Sequence, residues 1–493
     1  MGNTPFSSGP QFHDWRVFFF KEPEVNIPLC TTRRLFLGLT ASALLLSACA
    51  TQPALDEAPP IVFVHGNGDT AALWQTTFWR FESNGWPRAR LHAIDLPYPA
   101  ARDDDTKEQA GRTSTTEHMN YLKSEVEKVL KATGARKVVL VGNSRGGNAI
   151  RNYIETEYKR GGSEAVKVSH AILGGTPNHG VWAIKGYNEK NEFSGTGPFL
   201  TGLNAARNAA GDEVTPGVKW MTIRSDHNDK FAQADGVWIG AKGTATNVTF
   251  AGPELKGANN VIIPGIDHRE TSFSPAAFEA TYRFITGHAP AISRIQNEAS
   301  IVLNGKLSGL GLQPNDPKSG NYVNNLLLQG AELTVYAVAP GTAARLGTAA
   351  HSKKVGADGQ WGPFTAQEGV PYEFVIAAPG YATTHIYRSA FPRSSDIVNM
   401  TAARLADADR GAASVVTFTR PRGYFDAQRD KLSFDGQTPP PGVPPAGAGV
   451  SSSKIKVNES GLRVIKAEFN GEHLAGRTWP ASENRVVVLE LTY

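Results

Sequence analysis

Between residues 60 and 287, short apolar runs alternate with amphipathic stretches. Ile61-Val62-Phe63-Val64, Lys137-Val138-Val139-Leu140-Val141 and Val168 to Leu173 lack the strict apolar–polar alternation of a strand wetted on one face. A strand of a parallel sheet, covered on both faces, reads this way. Arg90 to Ile94, Val218 to Ile223 and Val261 to Ile263 add further strands. Helices are predicted between them. One runs through Trp74 and Phe81. A second is opened by the capping-box pattern Ser114-Thr115-Thr116-Glu117 and stopped by Gly134. Two more cover Gly146 to Lys159 and Ser274 to Phe284. Repeated strand–helix units predict an α/β domain, a mostly parallel sheet with helices on both faces.

The pattern changes after Pro290. Leu333-Thr334-Val335-Tyr336-Ala337-Val338 and Tyr372-Glu373-Phe374-Val375-Ile376 are short and β-branched, and turn signals such as Asp358-Gly359 and Pro379-Gly380 separate the runs. An all-β region follows from this. Pro439 to Gly449 reads as a Pro/Gly-rich linker or loop, and Lys454 to Tyr493 is again strand-like. The expected layout is a leader at 1–49, a tether at 50–59, a catalytic domain at 60–289, a β-sandwich accessory domain at 290–438, the loop at 439–449 and a β segment at 450–493.

Composition narrows the function. A net charge of +4 over 493 residues, with no Lys/Arg block, argues against nucleic acid as a partner. Thr32-Arg33-Arg34-Leu35-Phe36-Leu37 is a twin-arginine pattern, and the apolar run from Leu35 to Leu46 is shorter than the ~20 residues of a membrane span. Leu46-Ser47-Ala48-Cys49 resembles the lipobox of bacterial lipoproteins. The expectation is an exported protein, periplasmic or at the cell surface, anchored to a membrane by lipid on Cys49. Cys30 and Cys49 are the only cysteines, so the mature chain is expected to hold no disulfide, cysteine nucleophile or thiolate metal site. The oligomeric state is not legible.

The chemistry-bearing segment is Gly142-Asn143-Ser144-Arg145-Gly146. A G-x-S-x-G pentapeptide between a buried strand and a helix is a nucleophile elbow, which presents its serine hydroxyl at the edge of the sheet. A serine hydroxyl needs a general base, and in this fold the order along the chain is serine, acid, histidine. His268, in Gly265-Ile266-Asp267-His268-Arg269, follows the last short strand and precedes a helix, as the base should. The acid belongs after the Val218–Ile223 strand, where Asp229 is favoured and Asp226 is the alternative. Oxyanion donors are expected from the backbone N–H of Arg145 and from that of Asn67 in His65-Gly66-Asn67-Gly68. His65 itself lies at a strand end before Ser144 and reads as structural. In the insertion 178–216, Trp182, Phe199, Leu200 and Leu203 are candidates to line an acyl pocket, as a lid or a packed cap.

These segments, with Gly175-Thr176-Pro177-Asn178-His179-Gly180 and Phe199-Leu200-Thr201-Gly202-Leu203-Asn204, resemble those of bacterial lipases and esterases of the α/β-hydrolase superfamily. The resemblance covers about residues 60–287. It implies Ser144, Asp229 and His268 as a triad, backbone donors at Asn67 and Arg145, and hydrolysis of an ester or lipid without a cofactor or catalytic metal. Arg145 departs from the Met, Gln or His common in such enzymes and is expected to put charge at the mouth of the site. Residues 290–493 are more loosely similar to the β modules appended to some lipases. A lipase or carboxylesterase is the first reading. A polyester depolymerase, an acyltransferase and an inactive surface-binding lipoprotein are the alternatives.

Overall fold

A computed structural model of the chain describes residues 58–229, 231, 245–311, 323–447 and 449–493. The leader with Cys49, and all but the end of the 50–59 tether, lie outside the described residues.

The predicted apolar runs become a six-stranded sheet. Its strands are β1 (Ile61–Val64), β2 (Leu91–Ala93), β3 (Val138–Asn143), β4 (Val168–Gly174), β5 (Lys219–Arg224) and β6 (Asn259–Ile262). They lie in the order β2-β1-β3-β4-β5-β6, and every neighbouring pair is parallel. Both faces are covered, so β1 and β3 are buried along their whole lengths. Ile61, Phe63, Val139 and Val141 point into one apolar cluster, and Val62, Val64, Val138 and Leu140 into the other. Strand side chains alternate between faces, which is why continuous apolar runs were needed.

The helices are α1 (Gln75–Ser83), α2 (Thr115–Thr133), α3 (Arg145–Ala165), α4 (Pro198–Leu203), α5 (Glu270–Phe273) and α6 (Pro275–Thr286). The capping box of α2 forms as predicted, with reciprocal bonds between Ser114 and Glu117, and Gly134 ends the helix with φ 67°. Helix α3 begins one residue before the predicted start and is broken at Gly161 and Gly162. Helix α4, inside the insertion, is the packed cap helix, one of the two readings of that stretch, the lid being the other.

The β region is built on a seven-stranded sheet. It is not purely antiparallel: Arg485–Glu490 lies parallel to both Thr383–Arg388 and Ser414–Thr419 and sits between them. The last strand of the chain is thus internal to a sheet begun at residue 332, with Val487 and Leu489 buried. Ser452–Val457 pairs with Ser414–Thr419 in the same sheet. Within the Pro/Gly stretch between them, Pro440 and Val443 are buried, and the Ser453 hydroxyl donates to Pro441 O at 2.6 Å.

The sheet systems share a contact surface. Trp79 of α1 is fully buried within the apolar cluster of the β region, and its indole N–H donates to Ser394 O at 2.9 Å. Asp95 accepts from Lys306 and Asn399, and Asn325 donates to Asp69 O and Leu96 O. Truncating a buried Trp costs about 3–5 kcal/mol. Trp79→Ala is therefore expected to lower the stability of both regions by about that much in urea titration, although it alters a helix of only one of them.

Candidate active site

Strand β3 ends at Asn143, and α3 begins at Arg145, so one residue makes the turn. That residue is Ser144, with φ 53° and ψ −122°, a backbone conformation that side-chain-bearing residues rarely adopt. The flanking glycines are needed for space. A Cβ on Gly142 would come within 2.8 Å of Gly147 N, and one on Gly146 within 2.6 Å of His65 O. A Cβ on Gly147 would collide with the Thr176 side chain. Ser144 N donates to Gly174 O at 2.8 Å, tying the turn to the end of β4.

His268 follows β6 on the loop that leads into α5. Its Nδ1 lies 2.7 Å from Asp229 Oδ1, and both side chains are buried. Asp226 turns elsewhere and accepts from Gly265 N at 2.8 Å, which orders the loop before His268. His65 is buried; its Nδ1 meets Gly66 O at 2.9 Å, and its Nε2 accepts from Leu96 N at 3.1 Å. It holds two loops together, the structural part expected of it.

Ser144 and His268 line one cavity of about 220 Å3 with Asn67, Val181, Trp182, Phe193, Phe231 and Tyr424 among its walls. The loop over Ser144 is close-packed: a Cβ on Gly66 would stand 3.1 Å from Ser144 Cβ. Asn67 is fixed by Ala101 N, which donates to its Oδ1 at 2.7 Å. The amide of Arg145 is the first of α3, where N–H groups have no intrahelical acceptor and the helix dipole favours negative charge.

Three expectations change. Arg145 brings no charge to the mouth of the site. Its side chain is only 1 % exposed and makes a two-pronged pair with Glu192, Nε to Oε1 and Nη2 to Oε2, both 2.8 Å. Pro99 O accepts from its Nη1 and Thr113 O from its Nη2. Burial pushes the Glu192 carboxyl above its usual range, and the Arg145 guanidinium opposes that shift. The pair anchors the insertion to the elbow helix, so the insertion is a packed cover. Of the four apolar candidates, Trp182 lines the cavity, whereas Phe199, Leu200 and Leu203 do not. They lie on α4, where Leu200 and Leu203 are buried and Arg151 of α3 donates to Leu203 O and Asn204 Oδ1.

The third change concerns residues not singled out by sequence. Asn143 donates from Nδ2 to His268 O at 3.1 Å, joining the elbow to the histidine loop. Tyr424 comes from the β region, nearly 160 residues past His268, and its ring lies 5.7 Å from that of Phe231. Nothing local in its sequence signals a place in the site. Among the described residues, no three His, Cys, Asp or Glu side chains stand grouped to hold a metal ion.

A six-stranded parallel sheet with a serine elbow after β3 and an acid–histidine pair after β5 and β6 defines an α/β-hydrolase. Residues 58–238 match the family model described as Lipase (class 2), and residues 299–405 match that of the Lipase C-terminal domain. The chain is thus similar to class 2 lipases over residues 58–238 and to lipase C-terminal domains over residues 299–405, which supports a carboxylic ester hydrolase. Lipase B of Aspergillus fumigatus is 15% identical over 49% of this chain, at a TM-score of 0.33, and the match spans 56% of the fungal chain. A monoacylglycerol lipase of Paleococcus ferrophilus is 14% identical over 47% of this chain and 96% of its own, at a TM-score of 0.30.

Two outcomes follow from this geometry. Burial, together with the Glu270 charge and against the pull of Arg420, raises the Asp267 carboxyl from 3.8 to about 6. The folded chain then holds this proton more tightly than the unfolded chain does. The stabilisation from this group is full below about 3.8 and is lost as pH rises through about 6. Asp267→Asn is expected to flatten the fall in folding free energy between these values, measured by denaturant titration at each pH. Removing the wall ring with Tyr424→Ala is expected to raise kcat/KM for long-chain esters relative to acetate by about ten-fold, as relief of one steric contact allows.

Proposed function

We propose that this chain hydrolyses carboxylic esters with an apolar acyl group through an acyl-enzyme on Ser144. The observation that carries this reading is the 2.7 Å contact of His268 Nδ1 with Asp229 Oδ1, beside Ser144 in one apolar-walled cavity. Asp229 accepts a hydrogen bond from Nδ1–H and holds the tautomer in which Nε2 of His268 is the unprotonated base. Ser144 Oγ attacks the ester carbonyl carbon and passes its proton to Nε2. The carbonyl oxygen becomes an oxyanion, stabilised by the N–H groups of Arg145 and Asn67. As the tetrahedral intermediate collapses, the C–O bond to the alcohol breaks, and His268 gives its proton to the departing oxygen. Water, deprotonated by His268, then attacks the acyl-Ser144 carbonyl; the bond from the acyl carbon to Oγ breaks, His268 returns the proton to Ser144 Oγ, and the acid leaves.

Val181, Trp182, Phe193, Phe231 and Tyr424 offer an apolar bed for the acyl chain. The volume of about 220 Å3 is below the ~300–1,000 Å3 usual for sites that hold drug-sized ligands. Short and medium acyl chains suit it. The leader pattern supports an exported protein anchored through lipid on Cys49.

Hydrolysis of p-nitrophenyl esters of graded chain length tests this. Activity is expected to peak at short to medium chains. Ser144→Ala should lower kcat by about 10⁶-fold and abolish labelling by a fluorophosphonate probe. Asp229→Asn should cost about 10⁴-fold, since the amide favours the wrong histidine tautomer, whereas Asp226→Asn should cost far less. Equal losses at Asp226 and Asp229 would contradict the assignment of the acid.

A further inference from the structure

The histidine loop is gripped from the β region. Asp267, immediately before His268, is fully buried, and its carboxylate collects four donors. Arg269 N and Glu270 N bind Oδ1 at 2.8 and 2.9 Å, which shapes the loop itself. Oδ2 accepts from Tyr424 N at 2.8 Å and from Arg420 Nη1 at 3.0 Å, both outside the α/β domain. Arg420 also reaches Glu270 Oε1 with Nη2 at 2.5 Å. Arg429 takes the other oxygen of Glu270 at 2.5 Å and donates to Gly265 O at 3.0 Å. Contacts from residues 420–429 therefore hold the loop at 265, 267 and 270, on both sides of His268.

We propose that Arg420, supported by Arg429, is a positioning residue for His268, so that the β region completes the catalytic geometry of the α/β domain. The proposal rests on the Ser144–His268–Asp229 reading above. Within the α/β domain, Asn143 and Thr271 bind the His268 carbonyl, Asp226 accepts from Gly265 N, and Arg269 pairs with Asp69 at 3.0 Å; none of these reaches the Asp267 or Glu270 side chain from outside the loop. The Asp267 and Glu270 carboxylates on either side of His268 carry the loop's contacts to the β region. Arg420 is suited to bind two of them at once, because its donors form a rigid planar fork. Its guanidinium lies 4.5 Å over the Phe469 ring, which holds the fork in place from the β-region side. These residues lie beyond the stretch 299–405 that matches the lipase C-terminal domain. The grip on the histidine is thus a feature of this chain that neither matched stretch accounts for.

The test uses the full chain. Arg420→Gln is expected to lower kcat at least about ten-fold, as displacement of a catalytic group does, with KM changed less than about three-fold. Arg420→Lys, which keeps the charge but not the fork, is expected to recover only part of the loss. Lys306→Met is the control. It removes a different contact between the same two regions, to Asp95, and should leave kcat unchanged. Should Arg420→Gln fail to fold, Arg429→Gln gives the same reading from a more exposed position. A lowered melting temperature with kcat intact, or a loss carried by KM, would overturn the proposal. If Ser144→Ala keeps its activity, the reading of the site fails instead, and the two failures are told apart by that variant.

Discussion

The backbone of Ser144 is the constraint on which the rest of the site depends. A residue with a side chain at φ 53° and ψ −122° costs about 1–3 kcal/mol, and it persists only where its surroundings leave no alternative. Here the surroundings are a buried strand on one side and a helix packed directly against β1 on the other. Gly142, Gly146 and Gly147 permit the close approach, and the bond from Ser144 N to Gly174 O closes it. The strain buys a serine hydroxyl held clear of its own strand and helix, next to the first free amide of α3. The Arg145–Glu192 pair serves the same end. A buried pair of this kind contributes little net stability, but it ties the cover of the site to the elbow.

Much of this was legible in the sequence because burial on both faces leaves continuous apolar runs, and the order of nucleophile, acid and histidine limits the search. What escaped depended on tertiary reach. Asp226 and Asp229 stand three residues apart in one loop, and only the path of the chain decides that one caps Gly265 while the other meets His268. Arg145 read as a charge at the entrance because its partner lies 47 residues away. Leu200 and Leu203 left pocket wall and packed cap equally open, because an apolar side of a short helix looks the same whether it faces substrate or protein. Tyr424 had no local signal of any kind.

The β region also differs from an appended module. Its last strand lies between two earlier ones, so its sheet is complete only when residues 485–490 are in place. Trp79 of α1 is buried in its core, and Arg420 and Arg429 reach the loop that carries His268. Folding of the β region and placement of the histidine are therefore linked through specific buried contacts and not through proximity alone. The same linkage explains why the apolar cavity has walls from both regions.

The most direct measurement is a crystal structure of the enzyme inactivated by an alkyl phosphonate ester. The phosphorus should be bonded to Ser144 Oγ. Its non-bridging oxygen should lie about 2.7–3.1 Å from the amides of Arg145 and Asn67, and its alkyl chain should rest against Trp182, Phe231 and Tyr424. Phosphorus on another residue, or an oxygen directed away from both amides, would contradict the account.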